Sequence, residues 1–444
     1  MNTLLKTSFF SLTAAFLLSG CGDNLDDNSY ATKVYPSYPQ QKGYFIDTGV
    51  SGLQYTRSSG QIAYTLDGGA FNYYLGETVE FTVGKLAIGK SLAFSTVTPK
   101  DIVAFQDMDF NTSMNSTKVN NRVRFLMSLD SDSNPANGID INSSIRASAE
   151  NWVDPGYDYY DLNETDFNDA INSATNGDVN TTSITPADAS AHFESSLRCV
   201  YSGAYSGNWI FPDETRGGFV GVMIQSNGTI VTLGDGQDLN GDGNYTEYLF
   251  ARGTHYMDDG YYDFNETGEF NITSGSIVPS SQVVKGDGRS LSYDRVVGSF
   301  EQKNPDTNQT ETGSYEALRV GNGSNISYRY TGYGYKQTGI EDPQNDPIVG
   351  LFTFDIDRNS TIVGLIHDAR NNEEPELIGT ITFDDANSSL IGNVDMSLTY
   401  KDGNSYRVSG PLKSDGTVNL DWFDLNNNKL GYISGVGCQL QTHD

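Results

Sequence analysis

The sequence predicts a mainly β protein: a small N-terminal β-sandwich, a short helical middle segment and a large C-terminal antiparallel β-barrel or sandwich. Three observations predict it. The 444-residue chain is rich in Gly (47) and Tyr (27) and poor in Lys plus Arg (27), a makeup that favours strands and turns over long helices. Short runs of alternating apolar and polar residues recur along most of it, divided by Gly- and Asx-containing turns. Only residues 101–200 carry apolar side chains at helical spacing. The expected organisation is a signal segment over 1–20, a tether over 21–42, the sandwich over 43–100, the helical and acidic region over 101–200 and the β domain over 201–444.

Residues 1–20 hold one cation, Lys6, then an apolar stretch over residues 8–18, and finish Leu17-Leu18-Ser19-Gly20 before Cys21. A basic start, a short apolar middle and small residues at the cut are the layout of a secretory signal. The apolar part, about 11 residues broken by Ser11 and Thr13, is too short to span a bilayer, which needs about 20. A cysteine directly after Leu-Ser-Gly resembles the lipobox of bacterial lipoproteins. The resemblance implies that Cys21 carries diacylglycerol, that its new amine is acylated after cleavage, and that the membrane is a partner through this lipid. Gly22 at the next position implies outer-membrane delivery, on the periplasmic or the external side. An ordinary signal with a chance cysteine is the alternative.

The polar stretch 21–42, with Tyr30, Tyr35, Pro36, Tyr38 and Pro39, reads as a flexible tether spanning roughly 25 Å. With Cys21 given to lipid, Cys199 and Cys438 remain, and an exported chain with two cysteines tends to pair them. The bridge closes a loop of about 240 residues, worth up to roughly 5 kcal/mol, and brackets the C-terminal β domain. Two buried free thiols are the alternative.

Between residues 44 and 89, alternating runs at 45–46, 50–55, 62–65, 70–73 and 78–83 are split by turns at Asp67-Gly68-Gly69 and Leu75-Gly76-Glu77. Val50, Gly52, Leu53, Tyr55, Gly69, Phe71, Tyr73, Val79, Phe81, Val83, Gly84 and Gly89 give this block a pattern similar to small β-sandwich modules of adhesin-like surface lipoproteins. It also resembles prealbumin-type sandwiches. The resemblance covers about a tenth of the chain and implies structural positions without catalytic residues.

In the middle region, Val119, Val123, Leu126 and Met127 fall on one helical face. Thr185-Pro186 is a cap and first-turn pair opening a helix through Ala189, Phe193 and Leu197 to Cys199. Residues 124–141, with their helix leading into an Asp-rich turn, resemble an element of the same lipoprotein group. Residues 151–169 are acidic and Tyr-rich. From 204 to 438 the chain reads as hairpins, with turns expected at 226–228, 265–268, 402–404 and 414–416, and Gly-containing strands at 350–355, 361–366, 378–383 and 390–394. Gly207-Asn208-Trp209 is similar to the Gly-x-Trp of lipocalin-like barrels.

Formal charge is −30, which argues against nucleic acid as a partner. Asp238, Asn240, Asp242, the Asn244 carbonyl and Glu247 have the spacing of a calcium loop, with Gly243 at the sharp bend. An EF-hand closes with a glutamate at position 12, which is Leu249, so Glu247 at position 10 departs from that pattern; a plain turn is the alternative. Asp130, Asp132 and Asn134, with Asn137 and Asp140, form a second calcium candidate, and Asp355, Asp357 and Asn359 a third that a hairpin turn explains as well. His192, His255, His367 and His443 have no paired metal-binding spacing, and no Gly-x-Ser-x-Gly elbow or phosphate loop is present.

The expected function is that of a lipid-anchored cell-envelope binding protein, adhesin-like, with calcium-stabilised loops. Its partner is expected to be a glycan or an extracellular protein. Dense tyrosines at 256, 261, 262, 328, 330, 333 and 335 suit a recognition surface or platforms for sugar rings. The expectation is that the protein is not an enzyme. A lipocalin-like barrel holding a small ligand and a glycan hydrolase using paired carboxylates are the alternatives.

Overall fold

A computed structural model describes residues 39–441 except 110, 213–215, 236, 239–247, 272–275, 279–284, 305–306, 321–325, 369–373, 385 and 387. Residues 237, 238, 248, 269–271 and 276–278 are described by their backbone.

Strand Gln41–Phe45 pairs with Ala70–Tyr73 and Thr96–Val97, so the chain is in a sheet two residues before the end of the expected tether. Strands Gln54–Arg57, Ile62–Tyr64, Thr78–Val83 and Leu86–Leu92 make a second sheet. Alternation puts Phe45, Phe71 and Phe81 on facing sides. Their rings meet at 4.6 Å (Phe45 with Phe81) and 5.4 Å (Phe71 with Phe81), which makes the expected small sandwich. Each such ring, fully buried, contributes on the order of 2–3 kcal/mol.

Five helices follow: α1 (Pro99–Asp107), α2 (Thr117–Ser128), α3 (Ser143–Ala149), α4 (Glu164–Ala174) and α5 (Pro186–Tyr201). Thr98 with Asp101 and Thr185 with Asp188 form capping boxes at α1 and α5, each cap worth about 1 kcal/mol. The acidic stretch 151–169 resolves into a single 3-10 turn and the start of α4. Val119, Val123, Leu126 and Met127 are all buried, as the spacing predicts.

One large β domain was expected over 201–444, and two closed barrels occupy it. The first has eight strands: Gly203–Ile210, Arg216–Ile224, Thr229–Asp235, Tyr248–His255, Tyr261–Asn271, Lys285–Ser292, Arg295–Lys303 and Thr310–Arg319. It runs up and down and closes where Asn208 sits opposite Glu316. The second also runs up and down through eight strands: Ile326–Lys336, Ile348–Asp357, Thr361–Asp368, Glu376–Phe383, Leu390–Thr399, Ser405–Lys413, Thr417–Phe423 and Lys429–Gln439. It closes with Tyr330 opposite Gly437. Closure leaves no open sheet edge, so barrels rather than a sandwich answer the alternative left by the sequence.

The turns at 226–228, 402–404 and 414–416 lie between strands as expected. The one expected at 265–268 does not: those residues continue strand Tyr261–Asn271. Gly253 pairs with Phe264 and Arg252 with Glu266, so Asn265 is an extra residue in a bulge. Asn265 there serves a kink, which composition cannot distinguish from a turn.

Cys199 and Cys438 form the expected disulfide, with Cα atoms 5.5 Å apart, joining α5 to the last strand of the second barrel. A continuous core runs from the sandwich through the helices into one end of the first barrel. Ser113 Oγ and Met114 N both donate to Asp258 Oδ1 at 2.7 Å, and Lys100 Nζ donates to the Asp258 carbonyl, fastening the helical segment to that barrel. The barrels meet wall to wall through Met223, Val231, Leu233 and Phe250 against Leu351.

Candidate functional site

The interiors of both barrels are occupied by their own side chains. In the second, Tyr330, Phe352, Phe354, Ile362, Leu377 and Leu420 are among the residues packed across the lumen. In the first, Trp209 makes edge contacts with Phe211 at 5.8 Å and Phe300 at 5.6 Å, and its Nε1 donates to the Asp235 carbonyl at 2.7 Å. Inside the first barrel lies an apolar cavity of about 50 Å³. That is below the roughly 150 Å³ that admits benzene.

A groove of about 910 Å³ lies on the outside of the first barrel, within the usual range for ligand clefts. Strand register explains it. One cross-strand row on the inward face reads Trp209, Tyr315, Gly298, Gly288, Tyr262. The glycines leave room for the two tyrosines: a Cβ at Gly298 would collide with the Tyr315 ring, and one at Gly288 with the Tyr262 hydroxyl. The hydroxyls then meet, Tyr315 donating to Tyr262 at 2.9 Å and Tyr262 to the Val297 carbonyl at 2.9 Å. Burial pushes both phenols up, so both stay protonated donors.

Over these glycines, two outward rows line the groove. The first reads Asn208, Glu316, Val297, Arg289, Tyr261; the second reads Ile210, Ser314, Ser299, Asp287. Ser299 Oγ donates to Asp287 Oδ1 at 3.2 Å, and Tyr261 OH to Asp287 Oδ2 at 3.5 Å. At the end of the first row, Tyr261 stacks on Tyr256 with ring centroids 6.0 Å apart and planes 19° from parallel. The structure sorts the seven singled-out tyrosines. Tyr256 and Tyr261 are exposed by 44% and 38%, whereas Tyr262, Tyr328, Tyr330 and Tyr335 are buried core or interface residues. Tyr333 hydrogen-bonds Arg252 at the contact between barrels. The groove was not legible before the register was known, because its lining comes from five strands.

Cys21 and the calcium-candidate residues Asn240, Asp242, Asn244 and Glu247 lie outside the described residues, and so does His443. Asp238 is in the short strand Gln237–Asp238, opposite Arg216. In the second candidate, Asp130 accepts from Asn134 N at 2.7 Å and Asp140 N at 3.0 Å. Asp132 accepts from Asn134 N at 2.9 Å and Asn137 Nδ2 at 3.0 Å. Their oxygens brace the loop's own backbone and amides. Asp355 pairs with Arg329, while Asp357 accepts from Asn359 N and Thr361 N, each at 2.8 Å, closing a hairpin turn. Among the described residues, no three His, Cys, Asp or Glu side chains converge as metal ligands.

The three described histidines sit apart. His192 Nε2 is 3.1 Å from Asp47 Oδ1 and 3.3 Å from Thr48 Oγ1. Both contacts fall on one ring nitrogen, and Thr48 Oγ1 donates to the carbonyls of Asp47 and Pro135. A relay of hydroxyl, imidazole and carboxylate needs both nitrogens, so this cluster is a buried ion pair rather than an activated nucleophile. Burial works against charge on His192, but the adjacent Asp47 carboxylate overrides it and raises the imidazole.

No family model and no curated protein matches the chain. Among solved structures, a protein of unknown function from the DUF3598 family of Nostoc punctiforme matches with 7% identity and a TM-score of 0.17, covering 55% of this chain and 98% of the other.

Proposed function

We propose that this is a lipid-anchored cell-envelope protein that binds a glycan in the groove on the first barrel. The stacked, exposed Tyr256–Tyr261 pair at the end of a polar groove carries the reading. A tyrosine's π face accepts the C–H face of a sugar ring, while Asn208, Asp287, Arg289 and Glu316 offer its hydroxyls partners of both polarities. Tyrosine supplies this area at low entropy cost. The lipobox-like sequence before Cys21 supports the anchor, and an extracytoplasmic address is consistent with the disulfide.

A glycan array probed with the mature chain tests the groove. Tyr261→Ala is expected to weaken a positive hit at least fivefold, since aromatic stacking contributes about 1–3 kcal/mol by analogy with stacked bases. Retained affinity in Tyr261→Ala refutes the groove reading, and release of cleaved sugar turns it toward the hydrolase alternative. Cys21→Ser should move the protein from the membrane to the soluble fraction.

The spacing from Asp238 to Glu247 supports a calcium loop with weak affinity, on the order of 0.1–1 mM. Calcium should raise the melting midpoint of the native chain and leave Asp242→Ala unchanged. Equal midpoints in calcium and chelator remove the loop from the reading.

A further inference from the structure

The second barrel ends in a cavity of about 190 Å³, nearly four times the one inside the first barrel. Leu398, Tyr400, Tyr406, Trp422 and Leu430 line it, with Lys336 at the rim. Register explains the space. Trp422 lies opposite Gly431 on the neighbouring strand, and its indole spreads over that glycine toward Gly334. Two glycines thus stand where side chains would otherwise plug the barrel end. Tyr400 and Tyr406 meet edge to face at 5.7 Å, and Tyr400 OH is held by Asp368 Oδ2 at 2.8 Å. The walls are therefore preformed.

Trp422 differs from the other two tryptophans. Trp152 and Trp209 each donate their Nε1–H to an aspartate side chain or carbonyl, whereas Trp422 Nε1, although buried, has no acceptor among the described residues. A buried donor without an acceptor is unfavourable, and it marks the Trp422 ring as held by the cavity wall through packing alone. Lys336 is exposed, and among the described residues no carboxylate pairs with it, in a chain carrying 57 acidic residues.

We propose that this barrel mouth binds a small aryl carboxylate, its ring among Trp422, Tyr400, Tyr406 and Leu398 and its carboxylate on Lys336. The cavity sets the size. An apolar cavity of about 150 Å³ takes benzene, so the site accepts one ring with a short acidic arm. Aromatic and leucine walls favour a flat apolar ring over a polyhydroxylated one. The rim cation selects an anion over a neutral or cationic relative. The site is separate from the outer groove and does not depend on glycan binding there.

Phenylacetate and benzoate are the probes, titrated calorimetrically into the mature chain, with Trp emission as a second readout for phenylacetate. Saturable one-site binding is expected, with phenylacetamide and benzylamine at least tenfold weaker. Lys336→Met, at an exposed position, should keep the melting midpoint and erase that preference. Trp422→Phe should abolish the emission change and weaken phenylacetate several-fold. No saturable heat with either acid, equal affinity for the amide or amine, or unchanged selectivity in Lys336→Met overturns the proposal.

Discussion

Acid should loosen this protein well above the range in which its carboxylates protonate, because two histidines are buried neutral. His255 is 3% exposed, with Nε2 2.9 Å from Ser290 Oγ and its ring against Tyr201. Burial, aided by the positive charge of Lys100, pushes it down to about 3. His367 is 8% exposed and stacks on Phe219 of the other barrel at 5.1 Å. Burial pushes it down to about 4, partly offset by Asp368. In the unfolded chain both titrate near 6.5. As pH falls through 6.5 the unfolded state takes up protons that the folded state refuses, so stability is lost on the acid side. At pH 5 the loss is about 2 kcal/mol for each ring, or about 4 kcal/mol together. His192 acts in the opposite sense: its raised value contributes stability below about 6.5 that disappears as pH rises through its folded value. The contribution of His367 is therefore isolated by difference. Urea midpoints of the native chain and His367→Phe at pH 7.5 and pH 5 measure it. The phenyl ring keeps the stack on Phe219, and the variant should lose about 2 kcal/mol less on acidification. A pH dependence identical to that of the native chain refutes the reasoning.

Three further outcomes follow from packing and covalent structure. Replacing Cys199 and Cys438 by serine opens a loop of 239 residues and should lower unfolding free energy by up to about 5 kcal/mol, read from denaturant midpoints; an unchanged midpoint means the bridge constrains nothing. Gly298→Ala puts a methyl group into the Tyr315 ring, so a loss of about 1–3 kcal/mol and weaker groove binding are expected together. Arg329→Met leaves the half-buried Asp355 without its bidentate partner and should cost up to about 3 kcal/mol, measured by chemical denaturation; Asp355→Asn in the same chain should recover part of it.

The strands and most turns were legible because a half-buried sheet writes period-two alternation directly into sequence, and Asn-Gly or Asp-Gly pairs mark where hairpins reverse. The number of barrels was not. Alternation says which face of a strand is buried, but closure depends on register, and register here is set by glycine rows such as Gly288 and Gly298 that read simply as turn-rich composition. The groove was hidden for the same reason. Asn208, Glu316, Arg289 and Tyr261 are neighbours only after four strand pairings are known. Spacing along the chain gave no signal for His192, because its partner Asp47 lies 145 residues away in a turn of the sandwich. The disulfide was legible through chemistry: with one cysteine assigned to lipid, only one intrachain pair remained.

The disulfide also shows how the two barrels are held in one arrangement. It lies at the C-terminal end of α5, where the last carbonyls have no intrahelical donor and carry the negative end of the helix dipole. Two buried arginines meet them there. Arg319, from the last strand of the first barrel, donates to the carbonyls of Val200, Ser202 and Tyr293. Arg329, from the first strand of the second barrel, donates to the Ser202 carbonyl at 2.9 Å and pairs through both ends of its fork with Asp355. The Cys438 end of the bridge brings the last strand of the second barrel to the same helix turn. Each barrel is thus tied to a single helix end by a charge that its own interior could not solvate. Rotating one barrel against the other would strip a guanidinium of its acceptors and separate Phe219 from His367. The groove on the outer wall of the first barrel and the mouth of the second are therefore fixed relative to each other. Occupancy of one is expected to leave the affinity of the other unchanged, because coupling requires an element with two arrangements, and this junction has its polar groups satisfied in only one.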